Sequence, residues 1–437
     1  MSTDALSSGR PALDPEVVPV PAPTPAPVLD DLQVVLRRGL AGAPVPEWRA
    51  LQVGAGAPPF CGPDWVLAVA AHLGTGEPLL VTVRRQGRLL ALGAFAVHPG
   101  LRAPGRRGGR PLITFYGSGV SDYATVLCDP TCPVPATRLV AAVLDAVVAE
   151  VPGAILDLER VVEGEPLHEA LDVWARARGY GLRRLRQSSV HALALPATVA
   201  EHDRALGRHA RHEERRQWRR LLRRGQVEAA DDLLADVAPG DLDALRALVA
   251  ELGAVDAAHP RAAEREQPWR GTSGRTLFQL LATTPRPVLQ LAGLRVDGDL
   301  IAYTFCLAGP RALHGYVQSY RRDWADVGPG ALLLLRLRRR ALEAGYDELD
   351  LLRGEEEYKR RGARRTRTTV RVILRPDAPP MTALVDRVVL LRRTYRDEIR
   401  RSRRLDGAVS GLGRGVDRAR RETAASLGRL NRLRPGR

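Results

Sequence analysis

The chain of 437 residues is almost without lysine. It carries 66 basic residues, and only Lys359 among them is a lysine. Arginine therefore supplies nearly all the positive charge. The one lysine marks a position where a compact ammonium is wanted and a planar guanidinium does not serve. Long apolar runs are also missing: no stretch of about 18 uncharged apolar residues occurs, which excludes a transmembrane helix. The start lacks the basic-then-apolar pattern of a signal peptide. Met1 to Val28 instead holds Pro11, Pro15, Pro19, Pro21, Pro23, Pro25 and Pro27, a composition that cannot pack and is expected to form a stiff, disordered leader of polyproline II character. The 4 cysteines, Cys61, Cys128, Cys132 and Cys306, form no CxxC pair and no zinc spacing with histidine. They read as small buried or half-buried thiols, and a reducing cytoplasm fits them. The 9 histidines form no HExxH or HxH spacing, so no metal site is expected. The GxSxG elbow, the Walker loop and the dinucleotide fingerprint are absent as well.

What is present is enough for more than one core. With 45% apolar residues, the length points to two or three domains. The net charge of +16 is uneven: residues 391–437 hold 15 Arg against 5 acidic residues, or +10. Such a tail can hold an acidic partner or an anionic membrane surface by screened attraction, or it can be a solvated amphipathic extension. Nucleic acid stays open as a partner without being the preferred one.

The hydrophobic pattern gives the same plan twice. In the first half, a helix from Trp65 precedes paired strands at 79–84 and 89–97, joined by Gln86-Gly87. Strand candidates follow at 112–116 and 124–127, then a helix at 136–150, a buried strand at 154–158, a helix at 167–178 and a strand at 191–195. In the second half, a strongly basic helix spans 199–224, with Arg204, Arg208, Arg211, Arg215 and Arg219 three or four residues apart. Helices at 242–252 and 274–281 follow it. Strands at 288–296 and 300–307 flank the hairpin signal Asp297-Gly298. Then come a strand at 314–320, an apolar helix at 331–344 and strands at 348–352 and 368–374. The repeat is one of plan, not of obvious sequence. The expected fold class is α/β with mixed sheets and helices on both faces. The domains are expected at 31–196 and 197–380, between a leader (1–30) and a basic helical or disordered tail (381–437).

Chemistry is expected in two places. Val327-Gly-Pro-Gly330 lies between a strand and a helix, so the free N–H groups of the Ala331 helix face an anion such as a pyrophosphate. The second place is Asp350-Leu-Leu-Arg-Gly-Glu-Glu-Glu-Tyr358-Lys359 at a strand end, where open α/β sheets bind ligands. A carboxylate inside an apolar strand needs a partner, and Arg353 and Lys359 are the nearest in sequence. The basic helix would form an electropositive wall beside the site. Gly117-Ser-Gly-Val-Ser-Asp122-Tyr123 follows a strand and offers Asp122 to a cleft between the halves.

These segments together resemble the GNAT-superfamily acetyltransferases associated with cellulose biosynthesis. The resemblance rests on Pro59-Phe60…Trp65, on Gly117…Asp122-Tyr123, on the basic segment 204–224, on Gly328-Pro-Gly330 before its helix, and above all on Asp350-Leu-Leu-Arg-Gly…Tyr358-Lys359. It covers about residues 31–374. It departs from the family after Lys359, where Arg360-Arg-Gly-Ala-Arg-Arg365 replaces an aromatic-rich stretch. The pyrophosphate signature is also reduced to Gly328-Pro-Gly330. The resemblance implies two tandem GNAT domains, similar to the Fem-type aminoacyltransferases, and acetyl-CoA or another acyl-CoA as donor. The implied reaction is acyl transfer to an amine or hydroxyl of a small molecule or of an envelope or polysaccharide precursor. In this reading Ser319, Gly328, Gly330 and Ala331 hold the donor. Glu355 or Glu357 is the base, Tyr358 protonates the leaving thiolate, and Lys359 and Arg353 orient the acceptor or fix Asp350. Two alternatives stand beside it: an aminoacyl-tRNA-dependent transferase, and a non-catalytic scaffold that docks acidic partners.

Overall fold

Turn chemistry sets the first register. Gln86 and Gly87 both adopt positive φ, 50° and 81°, the pattern of a type I′ turn whose twist matches the strands it joins. Strand β1 (Gln33–Arg38) leads through helices α1 (Val45–Gly54) and α2 (Pro63–Leu73) to the hairpin β2 (Glu77–Arg85) and β3 (Arg88–His98). Strands β4 (Leu112–Phe115) and β5 (Leu127–Cys128) both pair with β3. Helix α3 (Ala136–Glu150) then crosses over to β6 (Ile155–Val162), which runs parallel to β4. Helix α4 (Pro166–Arg178) and strand β7 (Tyr180–Ala194) complete this half. The computed structural model describes residues 31–73, 76–99, 110–263, 268–284, 288–354, 356, 358–359 and 365–376. The expected leader and tail lie outside these residues.

The second half repeats the plan. The single basic helix expected over 199–224 is two, α5 (Val199–Ala205) and α6 (Arg208–Leu222). The break falls where Leu206 turns extended and Gly207 caps α6. Strand β8 (Val227–Ala230) and helices α7 (Leu242–Ala257) and α8 (Gly271–Thr283) lead to the hairpin β9 (Leu289–Val296) and β10 (Asp299–Ala308). Its turn residues, Asp297 and Gly298, again have positive φ, 52° and 87°. Strand β11 (Ala312–Tyr320), a 3₁₀ turn (Arg322–Val327) and helix α9 (Pro329–Glu343) cross over to β12 (Glu348–Arg353), which is parallel to β11. Strand β13 (Arg365–Pro376) is the last among the described residues.

The halves do not form separate sheets. One 13-stranded sheet runs β1-β2-β3-β4-β6-β13-β7-β12-β11-β10-β9-β8, with β5 on the side of β3. Strand β13, which comes last, therefore lies between two strands of the first half and is antiparallel to both. Strand β7 in turn joins β13 to β12. On one face, α3 and α4 cover the first half with one apolar cluster, and α9 covers the second with others. On the opposite face a single cluster runs from Trp48 and Trp65 in the first half to Leu252 and Leu280 in the second.

Superposing the plans exposes a short repeat that reading along the chain does not. Leu156-Asp-Leu-Glu-Arg160 on β6 and Leu349-Asp-Leu-Leu-Arg353 on β12 occupy the same place in their halves. Ile113 pairs with Leu156 across one parallel ladder, and Leu313 with Leu349 across the other. Each segment carries a bulge and a non-glycine residue at positive φ, Arg160 at 66° and Leu352 at 59°. Bulges end pairing and re-aim side chains. Strand β13 serves both aspartates. Arg371 grips Asp157 through two hydrogen bonds of 2.5 and 2.7 Å, and Arg367 lies 3.6 Å from Asp350.

The Arg371–Asp157 pair is buried, at 2% and 0% exposure. Removing one partner of such a pair leaves an uncompensated charge and costs about 3–5 kcal/mol, whereas replacing both with apolar groups is often neutral. Arg371→Ala should therefore lower urea-unfolding stability by about that amount. The double variant Arg371→Met with Asp157→Leu should recover most of it.

Candidate active site

The seven residues from Gly117 to Tyr123 leave β4 and carry the first half onto the second. Gly117 has φ 75°, and its carbonyl accepts the Ser121 hydroxyl at 2.9 Å. Trp65 Nε1 donates to Ser121 Oγ at 2.9 Å. Three links then cross between the halves. Tyr316 OH donates to the Val120 carbonyl at 3.0 Å, Arg353 pairs with Asp122, and Tyr123 OH donates to Asp350 Oδ2 at 2.6 Å. Rings fill the seam around them. Phe60 meets Trp65 at 5.0 Å, Trp65 meets Tyr316 at 5.2 Å, and Tyr316 continues through Phe305 to Trp269 at 6.3 and 5.8 Å. Aromatic residues make up only 5% of the chain, so their concentration here identifies the seam as the place where buried area is most needed.

Asp350 is the centre of the arrangement. It lies at the last paired position of the parallel ladder, opposite His314, and is 1% exposed. Oδ1 accepts the N–H of Leu352 at 2.7 Å, which fastens the bulge. Oδ2 accepts Tyr123 and has His314 Nδ1 and Arg367 Nη1 each 3.6 Å away. Burial by itself would push the carboxyl up. His314, Tyr123 and the Leu352 N–H outweigh that and hold it below the usual carboxylate range, so Asp350 is ionised at neutral pH. Tyr123 responds in the opposite sense: burial and the neighbouring Asp350 charge push its phenol well up. Arg367 makes a two-pronged pair with Glu348, at 2.7 and 3.0 Å.

Behind this group sits the lone lysine. Lys359 is 8% exposed. Its Nζ donates to the Arg353 carbonyl at 2.6 Å and lies 3.4 Å from Glu356. Gly354, at φ 137°, leaves the necessary room: a Cβ there would meet Lys359 Nζ at 2.8 Å and collide with the Glu356 carboxylate. The compact ammonium thus sits between the Arg353 carbonyl, Glu356 and the bare Cα of Gly354, a kind of position where a planar guanidinium is a poor substitute. Asp122 is 4% exposed. Burial raises its carboxyl, and Arg353, Arg160 and Lys359 only partly offset this.

His314, Asp350, Glu348, Arg367 and Tyr123 line one cleft of about 750 Å³ between the halves. Its first-half lining includes Pro58, Pro130, Pro133, Pro135 and Pro166. Proline has no N–H, so these positions offer shape without backbone donors. Gly309, beside the cleft, is tightly approached: a Cβ would lie 2.8 Å from His314 Nε2.

The second expected place lies across the sheet. Gly328 is left-handed (φ 65°), and a Cβ on it would sit 2.7 Å from Gln217 Nε2 of α6. The N–H groups of Ala331 and Leu332 both point to the Gly328 carbonyl, at 3.0 and 3.3 Å. Gln318 Nε2 donates to the Gly330 carbonyl at 2.7 Å. Helix α6 and the turn after it hold the segment before α9: Arg220 of α6 reaches the Asp326 carbonyl at 3.3 Å, and Arg224, just past α6, bonds Asp326 at 3.0 Å and stacks 3.8 Å over Trp324.

The residues singled out from the sequence thus fall into two groups. Asp122, Asp350, Arg353 and Lys359 are brought together at the seam. Gly328, Gly330 and Ala331 lie at the start of α9. The side chain of Ser319 points away from that start, because its neighbour Gln318 faces Gly330 and strand side chains alternate. Tyr358 is 44% exposed beside buried Lys359. Glu355 and Glu357 lie outside the described residues. His314, Arg367 and Glu348 were not expected at the site. The signal for His314 lay in the parallel crossover, which places it beside Asp350 once the register is known. Among the described residues, no group of three or more His, Cys, Asp or Glu is placed to hold a metal, and no helix is long and apolar enough to cross a membrane.

The β11–α9–β12 crossover, with its ladder ending at His314 and Asp350, lies inside a segment that is similar to a known domain family. Residues 208–360 match the family described as Acetyltransferase (GNAT) domain. The whole fold is similar to that of FemX, with 10% identity, 78% of this chain and 97% of the other covered and a TM-score of 0.51. A tandem GNAT protein from the clavulanic acid biosynthesis pathway matches at 14% identity over 80% of this chain and all of its own (100%), with a TM-score of 0.42. L-PGS from Bacillus licheniformis matches at 13% identity over 75% and 96%, also with a TM-score of 0.42. No protein of curated function matches the chain in sequence.

Tyr123→Phe should leave the buried Asp350 carboxylate one donor short. We expect a loss of about 1–3 kcal/mol in chemical unfolding. An unchanged midpoint would mean that the Tyr123 hydroxyl does not bear on Asp350.

Proposed function

We propose that the chain transfers an acyl group, acetyl in the simplest case, from a thioester donor to an amine or hydroxyl bound in the inter-half cleft. The observation that carries this reading is the His314–Asp350 pair, set at the point where β11 and β12 part and lining the 750 Å³ cleft. An ionised carboxylate beside an imidazole orients the ring and stabilises its charged form, and a base so held takes the proton of an attacking nucleophile. The acceptor nitrogen or oxygen attacks the thioester carbonyl and forms the new C–N or C–O bond. Its proton passes to His314, the C–S bond breaks, and the thiolate takes a proton from Tyr358. His314 thereby takes the role that sequence alone gives to Glu355 or Glu357. Arg353 and Lys359 brace the strand end, and Asp122 braces Arg353, instead of touching the acceptor. The donor's phosphates would meet the start of α9 at Gly330, beside α6, since the N–H groups expected to be free at Gly328 and Ala331 are taken by the Ala325 and Gly328 carbonyls at 3.2 and 3.0 Å. The narrower assignment, to the cellulose-biosynthesis-associated type, rests on the motif from Asp350 to Lys359.

A second reading has its own support. Arg208, Arg215 and Arg219 along α6 and Arg223 at its end are exposed and suit a donor with a longer phosphate backbone, such as an aminoacyl-tRNA. Binding of tRNA that weakens steeply with salt would favour that donor. Protection against heat by acyl-CoA would favour the thioester.

The test is thiol release from acetyl-CoA across a panel of amine and hydroxyl acceptors. His314→Gln should lower turnover by about 10²–10⁴, and Asp350→Asn and Gly309→Ala should both impair it by misplacing the ring. Tyr358→Phe should slow turnover where thiolate departure limits the rate. Wild-type turnover in His314→Gln would exclude the base assignment, and no turnover with any acyl-CoA would exclude the thioester donor.

A further inference from the structure

The cleft around His314 runs against the charge of the chain. The whole sequence has a net charge of +16. The cleft lining holds five carboxylates, those of Asp129, Glu165, Asp347, Glu348 and Asp350, against three guanidiniums, those of Arg311, Arg365 and Arg367. With His314 neutral the lining is negative by two charges. A cleft of one sign focuses its field and concentrates ligands of the opposite sign.

Pairing decides which of these groups is left for a ligand. Arg88, outside the lining, takes Asp129. Arg311 takes Asp347 at 2.7 Å. Arg367 holds Glu348 at 2.7 and 3.0 Å, and Arg365 lies 3.5 Å from the same carboxylate. Asp350 has Tyr123 and the Leu352 N–H. Glu165 remains. It stands at the N-cap of α4 but makes no capping bond with its side chain. Among the described residues no donor bonds its carboxylate, and Arg367, whose charge reaches it, is spent on Glu348. Gly164, at φ 81°, and Pro166, at the start of α4, fix the backbone on either side. Glu165 is an exposed residue, yet partial burial of its carboxyl pushes it up, and Arg367 only partly offsets this. A carboxylate short of both water and a partner gains from a cation that a ligand brings.

Resting on the acyl-transfer reading of this cleft, we infer that the acceptor carries a positively charged group, an ammonium or a guanidinium, apart from its reacting nitrogen or oxygen, and that the Glu165 carboxylate binds this group. The guanidiniums of the lining already have carboxylates, so an acidic acceptor would find no free counter-charge there. A neutral acceptor would cover Glu165 without replacing the water it displaces.

Three probes of one length separate these cases: 5-aminopentan-1-ol, pentane-1,5-diol and 5-hydroxypentanoate. Each offers a hydroxyl at one end, and the other end is positive, neutral or negative. Binding is read by chemical-shift changes and thermal shift in the full chain without donor. The wild type should bind the amino alcohol best and the hydroxy acid least, and added salt should narrow the difference. Glu165→Gln, at an exposed position that makes no bond, should keep the melting temperature, weaken the amino alcohol about tenfold and leave the diol as it was. Glu165→Lys should turn the preference to the hydroxy acid. No binding of the amino alcohol, equal binding of it and the diol, or a preference that persists in Glu165→Gln would each overturn the inference. In turnover, Glu165→Gln should raise KM for cationic acceptors and not for neutral ones. Acyl transfer that favours neutral or acidic acceptors would overturn the inference and leave the transfer reading standing. A charge preference in binding without turnover from any acyl-CoA would do the reverse.

Discussion

The position of β13 governs the rest of the molecule. It pairs with β6 on one side and with β7 on the other, so the first half has no complete sheet until the last described strand arrives. Strand β7 then passes the same sheet on to β12. A continuous ladder of this kind fixes the height and angle of β12 against the first half. That alignment brings Tyr123 within 2.6 Å of Asp350. Arg367 and Arg371, on the same strand, set one cation beside each of the equivalent aspartates.

The two aspartates show how one local pattern supports different outcomes. Asp157 is closed off by a two-pronged bond to Arg371, and one residue past the Ile113–Leu156 pair that ends its parallel ladder is Thr114, whose hydroxyl contacts His98 at 3.1 Å. Asp350 keeps Arg367 at a looser 3.6 Å, because that guanidinium is spent on Glu348. Its neighbour across the ladder is His314. A tight buried pair braces the sheet. A loose one beside an imidazole at the edge of a cleft leaves a polarised side chain available. The difference follows from where Arg367 finds its best carboxylate.

Much of the plan was legible in the sequence, for identifiable reasons. The two hairpins declare themselves through Gln86-Gly87 and Asp297-Gly298, since both turns need positive φ. The Asp350–Lys359 segment stands out through its lone lysine and its charge at a strand end. The sequence did not reveal partners that meet only through topology. His314 and Asp350 are neighbours because β11 and β12 are parallel, and Arg367 reaches Asp350 because β13 crosses to the other half. The break in the basic segment was missed because the periodicity of its arginines runs on through Leu206-Gly207. The single sheet could not be read because hydrophobic alternation does not say which strand a given strand pairs with.

The crossing strand also has a consequence in time. Strands β6 and β7 leave the ribosome long before β13, with about 180 residues between Ala194 and Pro376. At about 5–20 residues per second that is roughly 10–40 s of synthesis. During this interval β6 and β7 each lack the partner that β13 supplies, and β6 (ILDLERVV) presents an open, largely apolar edge of the kind that recruits foreign strands. The nascent chain is therefore most exposed to misassembly while its second half is being made, and a pause or truncation there would leave the first half unclosed.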